Sequence, residues 1–291
     1  MKNAHHFATG TKIIKCFLLG MIAFSLTNEA LSQATSERVY TFGVVPQHSA
    51  SKISRIWHPI TSRISDQTGY KVKIVTAKDI PEFEQQLSKG AYDFAYMNPY
   101  HYVVFSQSPG YQAIGHQQDK KIHGIIVVRK DSPYLSLQDL QHKTLSFPSP
   151  AAFAASLLTR ANLRQQNVTF TPKYVSSHDS VYLTVAKNMF PAGGGVIRTL
   201  NNMPEETRSE LRILWKSKGY TPHALAAHPD TPPEVIRKVS SAFFDLAKDA
   251  DGIKLLNAAG FKKGFVPAAN SDWDDVRSLD IDVSLKTEDK Q

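Results

Sequence analysis

The hydrophobic residues of this chain recur with two alternating spacings, and this alternation predicts an α/β fold. Val39–Val45 (VYTFGVV) is rich in β-branched and aromatic residues, as is typical of a buried strand. A helix is predicted from about Ser51, where apolar residues recur at helical spacing: Ile53, Ile56, Trp57, Ile60 and Ile64. A strand (Lys71–Val75), a helix (Ile80–Leu87) and a third strand (Tyr92–Met97) follow. This order predicts a parallel sheet.

The same pattern continues along the chain and predicts two lobes. Asn98 opens another helix, and further strand-type runs are His123–Val128, Thr169–Val175, Ala192–Val196, Leu211–Lys216 and His223–Ala227. Apart from His223–Ala227, the segment after Lys216 is predicted to be mainly helical. Such helices need a sheet against which to bury their apolar faces. We therefore predict that residues 35–118 and 217–291 form lobe one and residues 119–216 form lobe two. The chain would then cross between the lobes twice, and these two crossings would form a hinge. The cleft between the lobes is the expected ligand site.

Two strand-to-helix junctions are candidates for the wall of that cleft. Leu145–Leu158 (LSFPSPAAFAASLL) leads through a Pro-Ser-Pro turn, with Ser149 at the predicted N-cap and Pro150 at the first helical position. A similar junction follows at Val175–Ser180. Helix starts present free backbone N–H groups and the positive end of the helix dipole, which suits them to anions. The alternative is that both are ordinary strand-to-helix turns.

The first 34 residues are predicted to be a cleaved signal peptide. Lysines precede the apolar run Cys16–Leu26, which is too short to span a membrane as a mature helix. Ser32 and Ala34 provide small residues for cleavage before Thr35. The mature chain then has no cysteine, and an exported protein without disulfides is expected in a bacterial periplasm.

Charge has a minor influence on this picture. The chain carries +8, and three lysines against Glu29 give the signal segment +2, which leaves about +6 for the mature protein. A basic surface raises the local concentration of anionic ligands. Nucleic acid is not an expected partner, because basic residues are scattered among acidic ones. The mature protein is expected to be a soluble monomer.

The chain lacks the motifs of the common enzyme and cofactor sites. It contains no G-x-S-x-G, H-E-x-x-H, P-loop or C-x-x-C pattern, and Gly193–Gly195 lacks the spacing of a dinucleotide fingerprint. We therefore expect neither catalysis nor a cofactor. A metal site assembled from His48, His101, His178 and His223 is an alternative, since imidazole is a common metal ligand.

Polar residues at strand ends and helix starts are the candidate ligand contacts. Gln47 follows the first strand, and Asn98 and Tyr100 lie just beyond the carboxyl end of the third, where open α/β sheets bind ligands. Ser177 and His178 stand at the second helix start, where an imidazole can donate to an anion held by backbone N–H groups. The alternative roles are helix packing for Tyr100 and helix capping for His178.

Several long segments carry a resemblance to a known family. They are FGVVPQHSASKISRIWHPI at Phe42–Ile60, YDFAYMNPYHYV at Tyr92–Val103, VVRKDSPYLSLQDLQHKTLSFPSP at Val127–Pro150, SSHDSVYLTVAKNMF at Ser176–Phe190 and LWKSKGYTPHAL at Leu214–Leu225. In these segments the chain resembles the periplasmic substrate-binding components of ABC transporters for phosphate, phosphite and phosphonates. The resemblance implies the two-lobed periplasmic-binding-protein fold of the second type, with an inner-membrane ABC permease as partner.

The family's ligand residues transfer poorly. Members that bind aminophosphonates hold the oxyanion with a Ser-Thr-Ser run and a histidine, add two tyrosines, and pair the ligand amine with acidic residues. The matching residues here are Ala152, Phe153 and Ala154 for the run, His178 for the histidine, Ile80 and Met97 for the tyrosines, and Arg198 and His223 for the acids.

These replacements change the expected ligand. Each lost charge-assisted hydrogen bond removes about 1.5–3 kcal/mol, and a cation at Arg198 disfavours a ligand amine. We therefore expect a small oxyanion or organic acid whose apolar part faces Ile80, Met97 and Phe153. An alternative role is a periplasmic sensor subunit that presents its ligand to a membrane receptor or histidine kinase.

Overall fold

In the computed structural model, Met1 and residues 38–279 are described. The predicted signal peptide and the polar tail from Leu285 lie outside the described residues. The strands are β1 (Val39–Val44), β2 (Lys71–Thr76), β3 (Phe94–Met97), β4 (Gln112–Gln117), β5 (Gly124–Arg129), β6 (Lys143–Phe147), β7 (Phe170–Tyr174), β8 (Ala192–Val196), β9 (Leu211–Lys216), β10 (Ala224–Ala227) and β11 (Phe265–Pro267).

Helices cover both sheets that these strands form. They are α1 (Ala50–Thr68), α2 (Ile80–Ser88), α3 (Pro99–Phe105), α4 (Thr159–Gln165), α5 (His178–Ala186), α6 (Ile197–Asn201), α7 (Glu205–Arg208), α8 (Pro233–Asp245), α9 (Ala250–Ala258) and α10 (Asp274–Arg277). A π-helical segment, Phe153–Leu158, runs directly into α4. Short 3₁₀ turns lie at Gln138–Leu140, Leu246–Lys248 and Asn270–Trp273.

The first sheet has six strands in the order β11-β4-β10-β3-β1-β2. Strand β1 pairs in parallel with both β2 and β3, which confirms the parallel order predicted for the start of the chain. Strands β10, β4 and β11 add to this sheet in antiparallel orientation. Two of them, β4 and β11, were not predicted, because β4 (QAIGHQ) reads as mixed polar sequence and β11 is only three residues long.

The second sheet has five strands in the order β7-β6-β8-β5-β9. Its strands come from one continuous stretch of chain, between β4 and β10 of the first sheet. The chain therefore passes between the sheets twice, and the two passages hydrogen-bond to each other. The N–H of Ile122 donates to the carbonyl of Tyr220 at 2.8 Å, and the reverse bond is 3.0 Å.

Helix α1 packs against the first sheet through the face that the sequence pattern predicts. Ile53, Trp57, Ile60 and Ile64 are buried, and the Trp57 ring lies 5.3 Å from the ring of Phe42 on β1. Aromatic pairs at this separation add to the free energy gained from burying their area. This contact fixes the start of α1, and with it the loop that carries Gln47.

Strand β8 (AGGGV) is glycine-rich because other elements approach its backbone closely. A Cβ atom on Gly194 would overlap the carbonyl oxygen of Ala155 and lie 2.7 Å from the ring of Phe147. A Cβ atom on Gly195 would overlap the hydroxyl of Tyr182 on α5. The glycines thus allow the π-helical segment and α5 to lie against the middle of the second sheet.

The first predicted helix start is wrong by a few residues. Ser149 does not cap a helix and Pro150 does not begin one; the helix begins at Phe153, with Ala152 as an N-cap that makes no side-chain bond. Residues 148–152 form a turn instead, closed by the Ala152 N–H on the Ser149 carbonyl at 3.3 Å. The second helix start is confirmed, since the Ser177 hydroxyl accepts from the Ser180 N–H at 3.0 Å.

Among the described residues, no helix combines the length and apolar character that crossing a bilayer requires.

A glycine substitution tests the close approach at β8. Gly194→Ala should lower the free energy of unfolding by about 3 kcal/mol, at the upper end of overpacking effects, because the overlapped atom is backbone and cannot rotate away. Urea unfolding measures this. The control is Gly69→Ala, where φ is +73° but no atom lies within 4 Å of the added Cβ, so about 1 kcal/mol is expected. Equal losses for the two variants would contradict this account of β8.

Candidate functional site

A cavity of about 250 Å³ lies between the two sheets and is here called the inner cavity. Both sheets contribute to its wall, as does the passage between them. Its lining residues are Val45, Gln47, Ile80, Asn98, Ile122, Ala152, Phe153, Ala154, Ala155, His178, Val196 and His223. The wall is thus mainly apolar, with a few polar groups, which is the usual composition of a ligand site.

The π-helical segment provides backbone donors at this cavity. The N–H groups of Phe153, Ala154 and Ala155 form no hydrogen bond within the described part of the chain, because they belong to the first turn of the helix. Isolated π-helical turns occur frequently at functional sites. These three N–H groups can therefore donate to a group that enters the cavity.

His178 is buried at the start of α5 and is already joined to the other lobe. Its N–H donates to the carbonyl of Gln47 at 3.3 Å, and its Nδ1 lies 3.4 Å from the Thr199 hydroxyl. Burial, with smaller effects from His48 and Arg198, lowers the pKa of His178 to about 3. The imidazole is therefore neutral near pH 7.

His223 lies on the opposite side of the cavity, stacked on Tyr96 with ring centroids 4.9 Å apart. Its side chain is buried, and Nε2 has no hydrogen-bond partner in the described residues. A buried imidazole nitrogen without a partner costs free energy, so this atom is available to a bound group. Burial, followed by the charge of Arg198, lowers the pKa of His223 well below its usual value.

Arg198 reaches from the start of α6 across the cleft to residues on the side of the first sheet. Its guanidinium donates to the side-chain oxygen of Gln47 at 2.6 Å and lies over the rings of Tyr96 and Phe261, at 5.8 and 5.2 Å. Within the described residues Arg198 forms no ion pair. Its charge therefore faces the site without a carboxylate to balance it.

Asp179 is the acidic group next to this region, and it is already paired. Its carboxylate lies 2.7 Å from Nδ1 of His48 and 3.6 Å from Nζ of Lys52, both on the opposite lobe. Burial would raise the pKa of Asp179, but the hydrogen bond from His48 and the neighbouring cations outweigh it and the pKa is lowered. Lys52 also donates to the Asn202 carbonyl at 3.0 Å. These contacts close the cleft on one side of the cavity.

Asn98 also bridges the lobes. Its side-chain oxygen caps α3 by accepting from the His101 N–H at 2.8 Å, and its amide nitrogen donates to the carbonyl of Ala151 at 3.2 Å. The predicted ligand contact at Asn98 thus lines the cavity, while its amide already serves both the helix start and the opposite lobe.

The structure brings most of the predicted site residues together. Those that line the inner cavity are Gln47, Ile80, Asn98, Ala152, Phe153, Ala154, His178 and His223, and Arg198 lines two adjoining cavities. Four do not line any of these cavities: Met97, Tyr100, Ser149 and Ser177. Met97 is fully buried in β3, and the Ser177 hydroxyl is occupied in capping α5.

Sequence reasoning missed the apolar residues that complete the wall. Val45, Ile122, Ala155 and Val196 line the inner cavity, but in sequence they are ordinary strand and helix residues. It also missed the pairing of His48 with Asp179, which joins residues 131 positions apart. Within residues 38–279, no three His, Cys, Asp or Glu side chains lie close enough together to hold a metal ion. His48, His101, His178 and His223, the residues of the alternative metal site, therefore form no such group there.

Comparison with known proteins identifies the family. Residues 42–273 match the family model described as ABC transporter, phosphonate, periplasmic substrate-binding protein. The chain belongs to this family. It is thus a periplasmic substrate-binding component of an ABC transporter rather than an enzyme, as predicted.

Individual relatives of the chain agree with this assignment. It is 25% identical to the phosphate-import protein PhnD of Mycolicibacterium smegmatis, over 95% of this chain and 96% of the relative. PhnD1 of Prochlorococcus marinus, solved in complex with methylphosphonate, matches with a TM-score of 0.77 and 18% identity, over 84% of this chain and 97% of its own.

A binding protein of a phosphonate ABC transporter from Pseudomonas aeruginosa has the same TM-score, 0.77, with 20% identity over 86% of this chain and 89% of its own. These neighbours are two-lobed periplasmic binding proteins, and they confirm the predicted fold class.

The buried histidines predict a pH dependence of stability. The pKa values of His48, His178 and His223 are all lowered by burial from 6.5, so below about pH 6.5 the unfolded chain binds protons that the folded protein does not. The contribution of these histidines to the free energy of unfolding is therefore fully present above about pH 6.5. It is lost progressively as the pH falls, for His178 down to its folded pKa of about 3. His178 and His223, whose pKa values are lowered furthest, should each contribute about 1 kcal/mol per pH unit below pH 6.5.

Urea unfolding of the ligand-free protein at about pH 7.5 and about pH 5.5 measures this slope. His223→Asn keeps a small polar side chain without a titrating group, so the slope should decrease by one histidine's share. A slope that the substitution leaves unchanged would contradict a neutral, buried His223.

Proposed function

We propose that this protein binds a small anion of the phosphonate class, with a compact apolar substituent, in the inner cavity and delivers it to an ABC permease. The observation that carries the proposal is the charge of the site. Arg198 lines the two cavities that adjoin the inner cavity and forms no ion pair among the described residues, while no carboxylate lines the inner cavity itself. An anion bound in this place gains attraction that nothing in the described site already satisfies.

The donors of the site suit an oxyanion. The free N–H groups of Phe153, Ala154 and Ala155 and the unpartnered Nε2 of His223 surround one cavity, and neutral His178 stands beside them. Phosphonate oxygens accept such hydrogen bonds, and those to a charged acceptor are the stronger kind. The apolar residues Ile80 and Phe153 leave a place for a methyl-sized substituent.

Cavity size supports a small ligand. The inner cavity is the smaller of the two cavities that meet at His223, so a compact ligand suits it best. Methylphosphonate, which the Prochlorococcus protein binds in its structure, is a ligand of this compact kind. Arg198 and His223 match the acidic residues that pair with the ligand amine in aminophosphonate-binding members, so an aminophosphonate should bind more weakly than methylphosphonate.

The same proposal includes how the protein is exported and how it moves. Residues 1–34 are a signal peptide that is cleaved on export, and the mature chain acts as a monomer. Residues 35–118 with 217–291 and residues 119–216 act as two lobes, and the paired passages at Ile122 and Tyr220 are the hinge. In support, the contacts of Gln47 and Asp179 across the cleft are polar and few, so they can open and re-form.

Ligand-dependent thermal stability tests this function. Methylphosphonate, phosphate, phosphite, acetate and 2-aminoethylphosphonate are added separately to the mature protein. We expect methylphosphonate to raise the melting temperature, since binding at about 100 times Kd stabilises by about 2.7 kcal/mol. We expect 2-aminoethylphosphonate to have the smaller effect of these two. If none of the anions raised the melting temperature, the proposed function would be wrong.

A restored hydroxyl should strengthen phosphonate binding. Ala154→Ser places one donor beside the free backbone N–H groups, and one charge-assisted hydrogen bond of about 1.5 kcal/mol corresponds to roughly tenfold in Kd. Titration calorimetry with methylphosphonate measures the change. Ser149→Ala is the matched control, because Ser149 lines none of the cavities and its loss should leave Kd unchanged. An unchanged Kd in Ala154→Ser would contradict this position of the anion.

A further inference from the structure

A second cavity of about 450 Å³, here called the outer cavity, adjoins the inner one. Ile122, Val196 and His223 line both, so His223 stands where the two meet. The outer cavity lies along the two passages between the sheets and is nearly twice as large as the inner cavity. A ligand whose one end lies in the inner cavity therefore has room for a second group here.

The polar groups of the outer cavity are cationic or neutral. Its wall includes Lys120, Lys121, His123 and Arg198, and no carboxylate is among the described residues that line it. Lys121 is partly engaged, at 3.6 Å from Asp275 and 3.2 Å from the Thr221 hydroxyl.

Two of these cations have no acidic partner. Lys120 forms no ion pair within residues 38–279, and the same holds for Arg198. Arg198 cannot simply turn to solvent, because Gln47 holds its guanidinium and two aromatic rings lie beneath it. A guanidinium matches the geometry of a carboxylate through paired N–H donors.

We propose that the ligand carries a second anionic group, a carboxylate, which binds in the outer cavity against Arg198 and Lys120. The ligand class is then a short phosphonocarboxylate, with the phosphonate in the inner cavity and Nε2 of His223 between the two ends. This inference rests on the proposed function and narrows its ligand class. It gives Arg198 a role in specificity: a cation at this position attracts a carboxylate and repels an amine on the same short linker.

Ligands matched in size test the inference. Titration calorimetry at fixed ionic strength compares methylphosphonate, phosphonoacetate, 3-phosphonopropionate and 2-aminoethylphosphonate. We expect the better of the two phosphonocarboxylates to bind at least about tenfold more tightly than methylphosphonate, as one charge-assisted hydrogen bond implies, and the amine to bind most weakly.

Variants locate the second group. In Arg198→Gln, which keeps an amide donor but loses the charge, the preference for the phosphonocarboxylate over methylphosphonate should disappear. In Lys120→Gln the preference should decrease by roughly threefold, in line with an exposed cation. Lys130→Gln is the matched control, because it removes the same net charge from an exposed lysine that lines none of the cavities.

The outcomes separate this inference from the proposed function. If methylphosphonate binds and neither phosphonocarboxylate binds more tightly, the second site is wrong and the proposed function stands. If the preference exists but persists in Arg198→Gln, the assignment of the carboxylate to Arg198 is wrong. If none of the phosphonates or other small anions binds, the proposed function fails and this inference fails with it.

Discussion

The hydrogen bond from the Arg198 guanidinium to the Gln47 side chain, at 2.6 Å, is the contact on which the cleft depends. It brings a charge from the second sheet into the first lobe, where Tyr96 and Phe261 lie beneath it. The loop that carries Gln47 also accepts from the N–H of His178. A single turn after β1 therefore meets both of the helices, α5 and α6, that face it from the other lobe.

Burial explains the neutral state of the imidazoles around Arg198. It is the largest cause of the lowered pKa of His48, His178 and His223, and the charge of Arg198 lowers each pKa further. The site is thus one permanent cation among neutral imidazoles. Such an arrangement favours a bound anion electrostatically and opposes a ligand amine, whichever anion is finally identified.

Backbone geometry determines which donors lie at the inner cavity. The glycines of β8 let the π-helical segment lie close to the sheet, and this places the N–H groups of Phe153, Ala154 and Ala155 at the cavity. Backbone donors are independent of side-chain identity. Phe153, Ala154 and Ala155 therefore combine backbone donors with an apolar surrounding at the inner cavity.

Local sequence was sufficient for the elements that bury a regular apolar face. The face of α1 with Ile53 and Trp57, the strands β1, β5 and β8, and the start of α5 were predicted because their periodicity and capping residues act over a few positions. Most of the candidate site was also predicted, since its residues stand at strand ends and helix starts. The family followed from the order and spacing of long segments.

Only the tertiary structure decided how these pieces meet. The helix begins at Phe153 and not, as predicted, at Pro150, because a turn and a hydrogen bond from Asn98 outweigh the local capping preference. Met97 is buried in its strand rather than exposed to the cavity, and Asp179 pairs with His48 of the opposite lobe. Each of these depends on residues far apart in the chain, and no local pattern of spacing or charge encodes a contact between two different sheets.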